Sequence, residues 1–167
     1  MAYSLSMEVK RFLILTIFAV FLTTEVYCEC PVGWIPYESS CYLFYQHGKQ
    51  WTAAEDYCRS LHSYLTNIND ESENQFLQKQ LNLHGDTADF WVGATDAINE
   101  GGWRWMPDFD PIGYDDWIPG QPNDDHDQDC MQLYHRYQYH WDDDHCNKAN
   151  SFICEMKNPG EEHQIIG

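Results

Sequence analysis

Positive charge is scarce in this chain. Nine Lys and Arg stand against 27 Asp and Glu in 167 residues, a formal net charge of −18. Nucleic acid and anionic membrane surfaces both need a basic patch, so neither is expected as a partner. Apolar runs are short as well. The longest, 12–22, falls well below the roughly 20 residues of a membrane-spanning helix, and nothing else in the chain resembles a span. A glycine-rich phosphate loop, an HExxH pair and a nucleophile elbow are all missing, which removes the usual signatures of nucleotide, zinc-peptidase and hydrolase chemistry. Carboxylate pairs are plentiful, but metal ligation explains them better than acid–base work, so the chain reads as a non-enzyme. No internal repeat is present, and the length suits one domain.

What is there begins with a targeting pattern. Lys10 and Arg11 precede the run Phe12 to Leu22, and Val26-Tyr27-Cys28 supplies a cleavage site; residues 1–28 read as a signal peptide of a secreted protein. Of seven Cys, six remain after that cleavage: Cys30, Cys41, Cys58, Cys130, Cys146 and Cys154. Six thiols allow about fifteen pairings, and spacing alone chooses none. Retention of Cys28 would leave an odd thiol able to link chains into a homo-oligomer.

Aromatic content is high, with seven Trp, eleven Tyr and eight Phe, which predicts a packed core despite the polarity. The stretch 30–46 reads as a short hairpin. Thr52 with Glu55 has the form of a capping box, and Ala54, Tyr57, Cys58 and Leu61 follow at helical spacing. A second helix is expected from Asp70, with Glu73 three residues on and Phe76, Leu77 and Leu81 buried. FWVGA (90–94) reads as a buried strand, GGWRW (101–105) as a turn entering another. CMQLY (130–134) and SFICE (151–155) follow as strands. Residues 106–129 show no periodicity and hold four of the seven Pro; a loop that long is usually functional or disordered. Early helices and late strands make an α+β domain over 29–156, with 157–167 as a flexible tail.

Residues 30–156 resemble the C-type lectin-like domain family. The resemblance is carried, in order, by Cys30-Pro-Val-Gly-Trp34, Ser40-Cys41-Tyr42, Trp51 and Cys58, Phe90-Trp-Val-Gly-Ala94, Glu100-Gly-Gly-Trp-Arg-Trp105 and Trp117. Pro119-Gly-Gln-Pro-Asn123, Trp141-Asp-Asp143, Cys146 and Phe152-Ile-Cys154-Glu155 complete it. It implies small antiparallel sheets beside the two helices, a long calcium-binding loop at 106–129, and three disulfides: Cys30–Cys41, Cys58–Cys154 and Cys130–Cys146. It also implies a cis bond before Pro122.

Eleven Asp lie between Asp108 and Asp144 against one base, Arg136. Such a block repels itself unless it is solvated or neutralised by cations. Asp125-x-Asp127-x-Asp129 imitates an EF-hand start, but its sixth position is Cys130 and its twelfth Arg136, so that reading fails. His126, His135, His140 and His145 have no recognised zinc spacing. The family resemblance implies instead a sugar-binding calcium site at Gln121, Asn123, Gln128, Asp142 and Asp143. A supporting calcium site falls on Asp96, Glu100, Asp124 and Asp129. Two positions usually filled by Glu are Gln here, Gln121 and Gln128, which predicts weaker calcium binding. Gln121-Pro122-Asn123 is neither the mannose-type Glu-Pro-Asn nor the galactose-type Gln-Pro-Asp triplet; retention of Asn123 tilts the preference toward mannose-type glycans. Tyr134, Tyr137, Tyr139 and Trp141 are candidates for stacking on a sugar, with Tyr134 and Trp141 better read as core. Asp143→Ala is expected to abolish sugar binding and spare the fold. The resulting expectation is a secreted, calcium-dependent lectin, with recognition of microbial or self glycans as a role. The alternative is an acidic calcium or mineral-matrix protein, or a protein-binding module, on the same scaffold without sugar binding.

Overall fold

A computed structural model describes residues 30–83 and 87–159; the expected signal peptide and most of the expected tail lie outside them. The elements run β1 (Ile35–Tyr37), β2 (Ser40–Lys49), α1 (Trp51–Ser60), β3 (Tyr64–Leu65), α2 (Glu71–Leu83), β4 (Phe90–Thr95), β5 (Arg104–Trp105), β6 (Asp110–Pro111), β7 (Cys130–Tyr134), a 3₁₀ turn (His135–Tyr137), β8 (His140–Asp144) and β9 (Asn150–Lys157). The α+β class stands, with two α-helices and three disulfides among the described residues.

The strands join one network rather than separate small sheets. Its main path is β1-β2-β9-β4-β5-β6, with β3 on β9 and the β7–β8 hairpin on β4. Most pairs are antiparallel, but β4 and β9 run parallel through Phe90–Ser151 and Trp91–Phe152. The sheets expected from the family resemblance are antiparallel, and this one pair departs from that. Here the long excursion from β4 to β9 does the work of a crossover.

All six residues of β4 are buried, because this central strand is covered on both faces. Phe90, Val92 and Ala94 point into a cluster with Leu77 and Leu81 of α2, Trp105, Trp141 and Ile153. Trp91 points the other way, into Trp51, Ala54 and Cys58 of α1 with Leu65 and Phe152. Gly93 has no room for a side chain: a Cβ there would meet the Leu65 carbonyl oxygen at 2.5 Å. That close approach lets Gly93 N–H donate to Thr66 O at 2.8 Å.

The two helix starts differ. At α2, Asp70 Oδ1 accepts from Glu73 N–H at 2.9 Å, an N-cap as expected. At α1 the expected capping box does not form; the N-cap lies two residues earlier, at Gln50, which makes no side-chain cap bond. Trp51 takes over this end, its N–H donating to Cys146 O at 3.0 Å and its indole N–H to Val92 O at 2.8 Å. Glu55, freed from capping, pairs with Arg59 one turn on. Tertiary bonds outrank a local cap here.

Cys58–Cys154 ties α1 to β9, Cys130–Cys146 closes the β7–β8 hairpin at its base, and Cys30–Cys41 holds the start of the domain to β2. In the chain-entropy view a loop near 100 residues gains about 4.7 kcal/mol from closure and one near 15 about 3 kcal/mol. The longest bridge, with a separation of 96 residues, therefore constrains the unfolded chain most.

Candidate functional site

The chain between β6 and β7 has almost no regular structure, yet it is firmly held. Ile118 N–H donates to Trp141 O at 2.9 Å and Trp141 N–H to Asp116 O at 3.0 Å, fastening the loop along β8. Asp116 Oδ2 accepts from Asn74 and Gln78 of α2 at 2.7 and 2.9 Å. Trp105, Tyr114 and Trp117 each pack edge-on against the buried Trp141 ring. The aromatic richness of the sequence thus anchors a loop rather than filling a core alone. Past Gly120 the chain turns through a cis Gln121–Pro122 bond, and Asp124, His126 and Asp127 take left-handed backbone at the loop tip.

This loop and the β7–β8 hairpin enclose a pocket of about 510 Å³ whose lining includes Gln121, Asn123, Gln128 and Asp142. Gln121 Nε2 donates to Asp142 Oδ1 at 2.5 Å, and Gln132 Nε2 to Asp142 Oδ2 at 2.9 Å. Burial pushes the Asp142 carboxyl above its ordinary range; Asp143 and Asp144 push the same way, while the two glutamine donors oppose. Gln128 Nε2 donates to Asp143 O at 3.0 Å. Lys148 Nζ lies 2.5 Å from Asp144 Oδ1 at the rim.

Asp143 sits differently from the other four. It is fully buried and does not line the pocket. Its Oδ2 accepts backbone N–H bonds from Asn123 at 3.0 Å and Asp124 at 2.7 Å. Its carboxylate therefore clasps the loop from behind.

The four acids of the expected supporting site divide as well. Asp96, Glu100 and Asp129 bring carboxylate oxygens within 4.8 Å of one another. Asp124 is not in that group; its Oδ1 accepts Gln128 N–H at 3.1 Å within the loop. The Asp96 carboxyl is pushed up to about 6, first by burial and then by Glu100 and Asp129, against the Gly101 N–H that it accepts. Asp129 is raised too, by burial and then by Asp127 and Asp124. Acids whose charged form is disfavoured by burial and by neighbouring like charges are suited to a cation.

Both places pass a simple test of fit. Gln121 Oε1 and Asp96 Oδ1 are buried oxygens without a hydrogen-bond partner. A buried acceptor left unmade is costly, and a hard cation that takes six to eight oxygens would satisfy each.

The sequence reading missed Gln132 and Asp144. Gln132 is nearly inaccessible, accepts from Asn150 Nδ2 at 2.7 Å and holds Asp142 in place. A glutamine inside a buried strand, opposite Asp142 in the hairpin register, was the available signal. Trp141 and Tyr139 are core residues, 0% and 2% exposed, whereas Tyr137 is 54% exposed. Tyr134 is half-buried at the pocket wall rather than in the core.

Residues 47–156 match the family model described as the lectin C-type domain. A perlucin-like protein of Mytilus galloprovincialis is 34% identical over 132 residues, covering 75% of this chain and 82% of its own length. Human C-type lectin domain family 17, member A is 38% identical over 128 residues, but that match spans 77% of this chain and only 32% of the human protein. Among solved structures, the carbohydrate-recognition domain of mouse scavenger receptor C-type lectin superposes with a TM-score of 0.72 at 30% identity, covering 77% of this chain and 98% of that one. A calcium-independent type II antifreeze protein superposes with a TM-score of 0.69 at 26% identity, over 77% of this chain and 94% of that one.

Proposed function

The chain belongs to the C-type lectin domain family, and from that premise we propose that it is a secreted, calcium-dependent carbohydrate-binding protein. The family is one of binding domains, and its members generally take calcium. One observation carries the reading: Gln121, Asn123, Gln128 and Asp142 meet in a single pocket, with an orphaned oxygen on Gln121. These four, backed by Asp143, would hold the sugar-facing ion. Asp96, Glu100 and Asp129 would hold a second, and Asp124 would serve the loop. When bound, calcium offers coordination positions to neighbouring sugar hydroxyls.

The chain's own part is orientation. Gln132 and Gln121 fix the Asp142 carboxylate, whose oxygens can accept from a sugar hydroxyl, while the amide N–H groups of Asn123 and Gln128 can donate to one. Retained Asn123 favours mannose-type glycans. Two glutamines in place of carboxylates lower the site's charge, so calcium binding falls toward the weak end of the roughly 10⁻⁴ to 10⁻³ M range of extracellular modules.

Residues 1–28 are proposed as a signal peptide, 29–156 as the recognition domain and 157–167 as a tail. No helix among the described residues is long and apolar enough to cross a membrane, and three disulfides suit an oxidising compartment. A role in recognising microbial glycans follows from this reading.

A glycan array probed in millimolar calcium and again in EDTA tests it. Binding to a defined glycan set that vanishes in EDTA is expected. Signals unchanged by EDTA, or none with calcium, would overturn it. The second outcome would favour a scaffold without sugar binding, a reading supported by the likeness to a calcium-independent antifreeze protein and by the two glutamines.

A further inference from the structure

We propose that the glycan site extends from its metal-facing edge onto an aromatic ledge made by Tyr134 and Tyr137. On this proposal the protein takes an oligosaccharide of at least two residues, the second laying its apolar face on Tyr137. The inference rests on the carbohydrate reading above.

The placement follows from strand geometry. Gln132 and Tyr134 are two apart on β7, so their side chains leave the same face about 7 Å from one another. Gln132 holds Asp142 across the hairpin at 2.9 Å. The ledge therefore begins about one sugar ring beyond the residue that faces the metal. Tyr134, Tyr137, Gln121, Asn123 and Asp142 all line the same pocket, which falls in the size range of sites for small organic ligands. Tyr134 and Tyr137 stack on each other, ring centres 5.8 Å apart and planes inclined by 22°.

A lone exposed tyrosine is ordinary on a protein surface. This one sits on a turn built to hold it. Gln138 and Tyr139 both take left-handed backbone, φ 54° and 63°, a conformation that costs most side chains and persists only where surroundings impose it. Tyr139 is the anchor: 2% exposed, its ring edge-on to Phe90 at 6.3 Å, its N–H donating to Tyr134 O at 3.0 Å. On the other side of the turn, His135 N–H donates to Asp89 Oδ1 at 3.0 Å and its Nδ1 lies 2.6 Å from the same oxygen. With both ends fixed, Tyr137 is presented to the pocket with little freedom to lose on binding. Preorganised aromatic surface is what recognition of a sugar's C–H face requires.

The test compares two sugars of each stereochemistry: methyl mannoside with mannobiose, and methyl galactoside with lactose, titrated in millimolar calcium. Tyr137→Ala is expected to lower the ratio of disaccharide to monosaccharide affinity by about five- to tenfold, while Tyr137→Phe, which keeps the ring, preserves it. A ratio that survives in Tyr137→Ala overturns the extension and leaves the carbohydrate reading intact. Equal loss in the Phe variant overturns stacking as its basis. If the wild-type protein binds none of the four sugars, the extension is overturned, while binding on the glycan array still decides the carbohydrate reading.

Discussion

Gln121 donates through Nε2 to Asp142 while its Oε1 is buried without a partner. The amide therefore does two incompatible jobs: it relieves Asp142 of a like-charged neighbour, and it deprives a cation of a carboxylate. Gln121→Glu separates them. In the metal-free protein the new carboxylate faces the buried Asp142, so the thermal midpoint should fall. With calcium present, one more negative ligand should tighten binding by about tenfold or more, since 1.4 kcal/mol suffices for that factor. Calorimetric titration and melting in EDTA read both effects, and calcium affinity that stays level would remove residue 121 from the ligand set. Asp143 is a poorer probe than the sequence alone suggested. Its carboxylate holds the Asn123 and Asp124 N–H groups from a fully buried position, so truncating it loosens the loop as well as the site and cannot spare the structure.

At the scale of elements, α2 carries an acid that the sequence presented only as a capping partner. Glu73, in the first turn, is 7% exposed and accepts from Tyr42 Oη–H at 2.6 Å and Asn69 N–H at 2.8 Å. Burial pushes its carboxyl up from 4.5 to about 7, against those two donors. Between those values the folded chain keeps a proton that the unfolded chain has released, so stability falls as pH rises through the window and levels off above it. The drop is at most about 3 kcal/mol, at 1.36 kcal/mol for each unit. Glu73→Gln retains an acceptor oxygen and should reduce the slope, leaving the part that comes from Asp96 and the other raised acids, measured by urea unfolding in EDTA at mildly acid and mildly alkaline pH. An unaltered slope would place its source elsewhere. Helices, β4, β7 and the long loop were legible because periodicity and runs of one polarity record which faces are covered. The strand character of His140–Asp144 was not: three consecutive aspartates show no strand pattern, and all three are buried because loop and hairpin close over them. The start of α1 was hidden for the same reason, since the bonds that fix it come from Cys146 and Val92, far along the chain. Gln121, Asn123, Gln128 and Asp142 could be named from motif spacing, but the place of Asp143 behind the pocket, and of Asp124 outside the Asp96–Glu100–Asp129 group, depends on backbone N–H directions that side-chain identity does not encode.

Across the whole molecule, a net charge of −18 makes any cation stabilising to some degree, so a rise in melting temperature with calcium is weak evidence by itself. Specific binding and general screening differ in one respect. Screening depends on ionic strength and treats calcium and magnesium alike, whereas the present sites offer crowded, mixed carboxylate and amide oxygens of the sort calcium accepts and octahedral, slow-to-dehydrate magnesium does not. The three disulfides should keep the metal-free domain folded, so both ions can be compared on one native state. Calcium at a hundred times its dissociation constant contributes about 2.7 kcal/mol, which for a domain of this size is a shift of roughly 10 °C. Magnesium at equal concentration should give only a small fraction of that. The comparison belongs at neutral pH, because acid protonates Asp96, whose carboxyl titrates at about 6, and the calcium increment should shrink as pH falls through that value. Equal shifts from the two ions, or a calcium shift indifferent to pH, would reduce the acidic loop to a screened surface and remove calcium from the account of this protein.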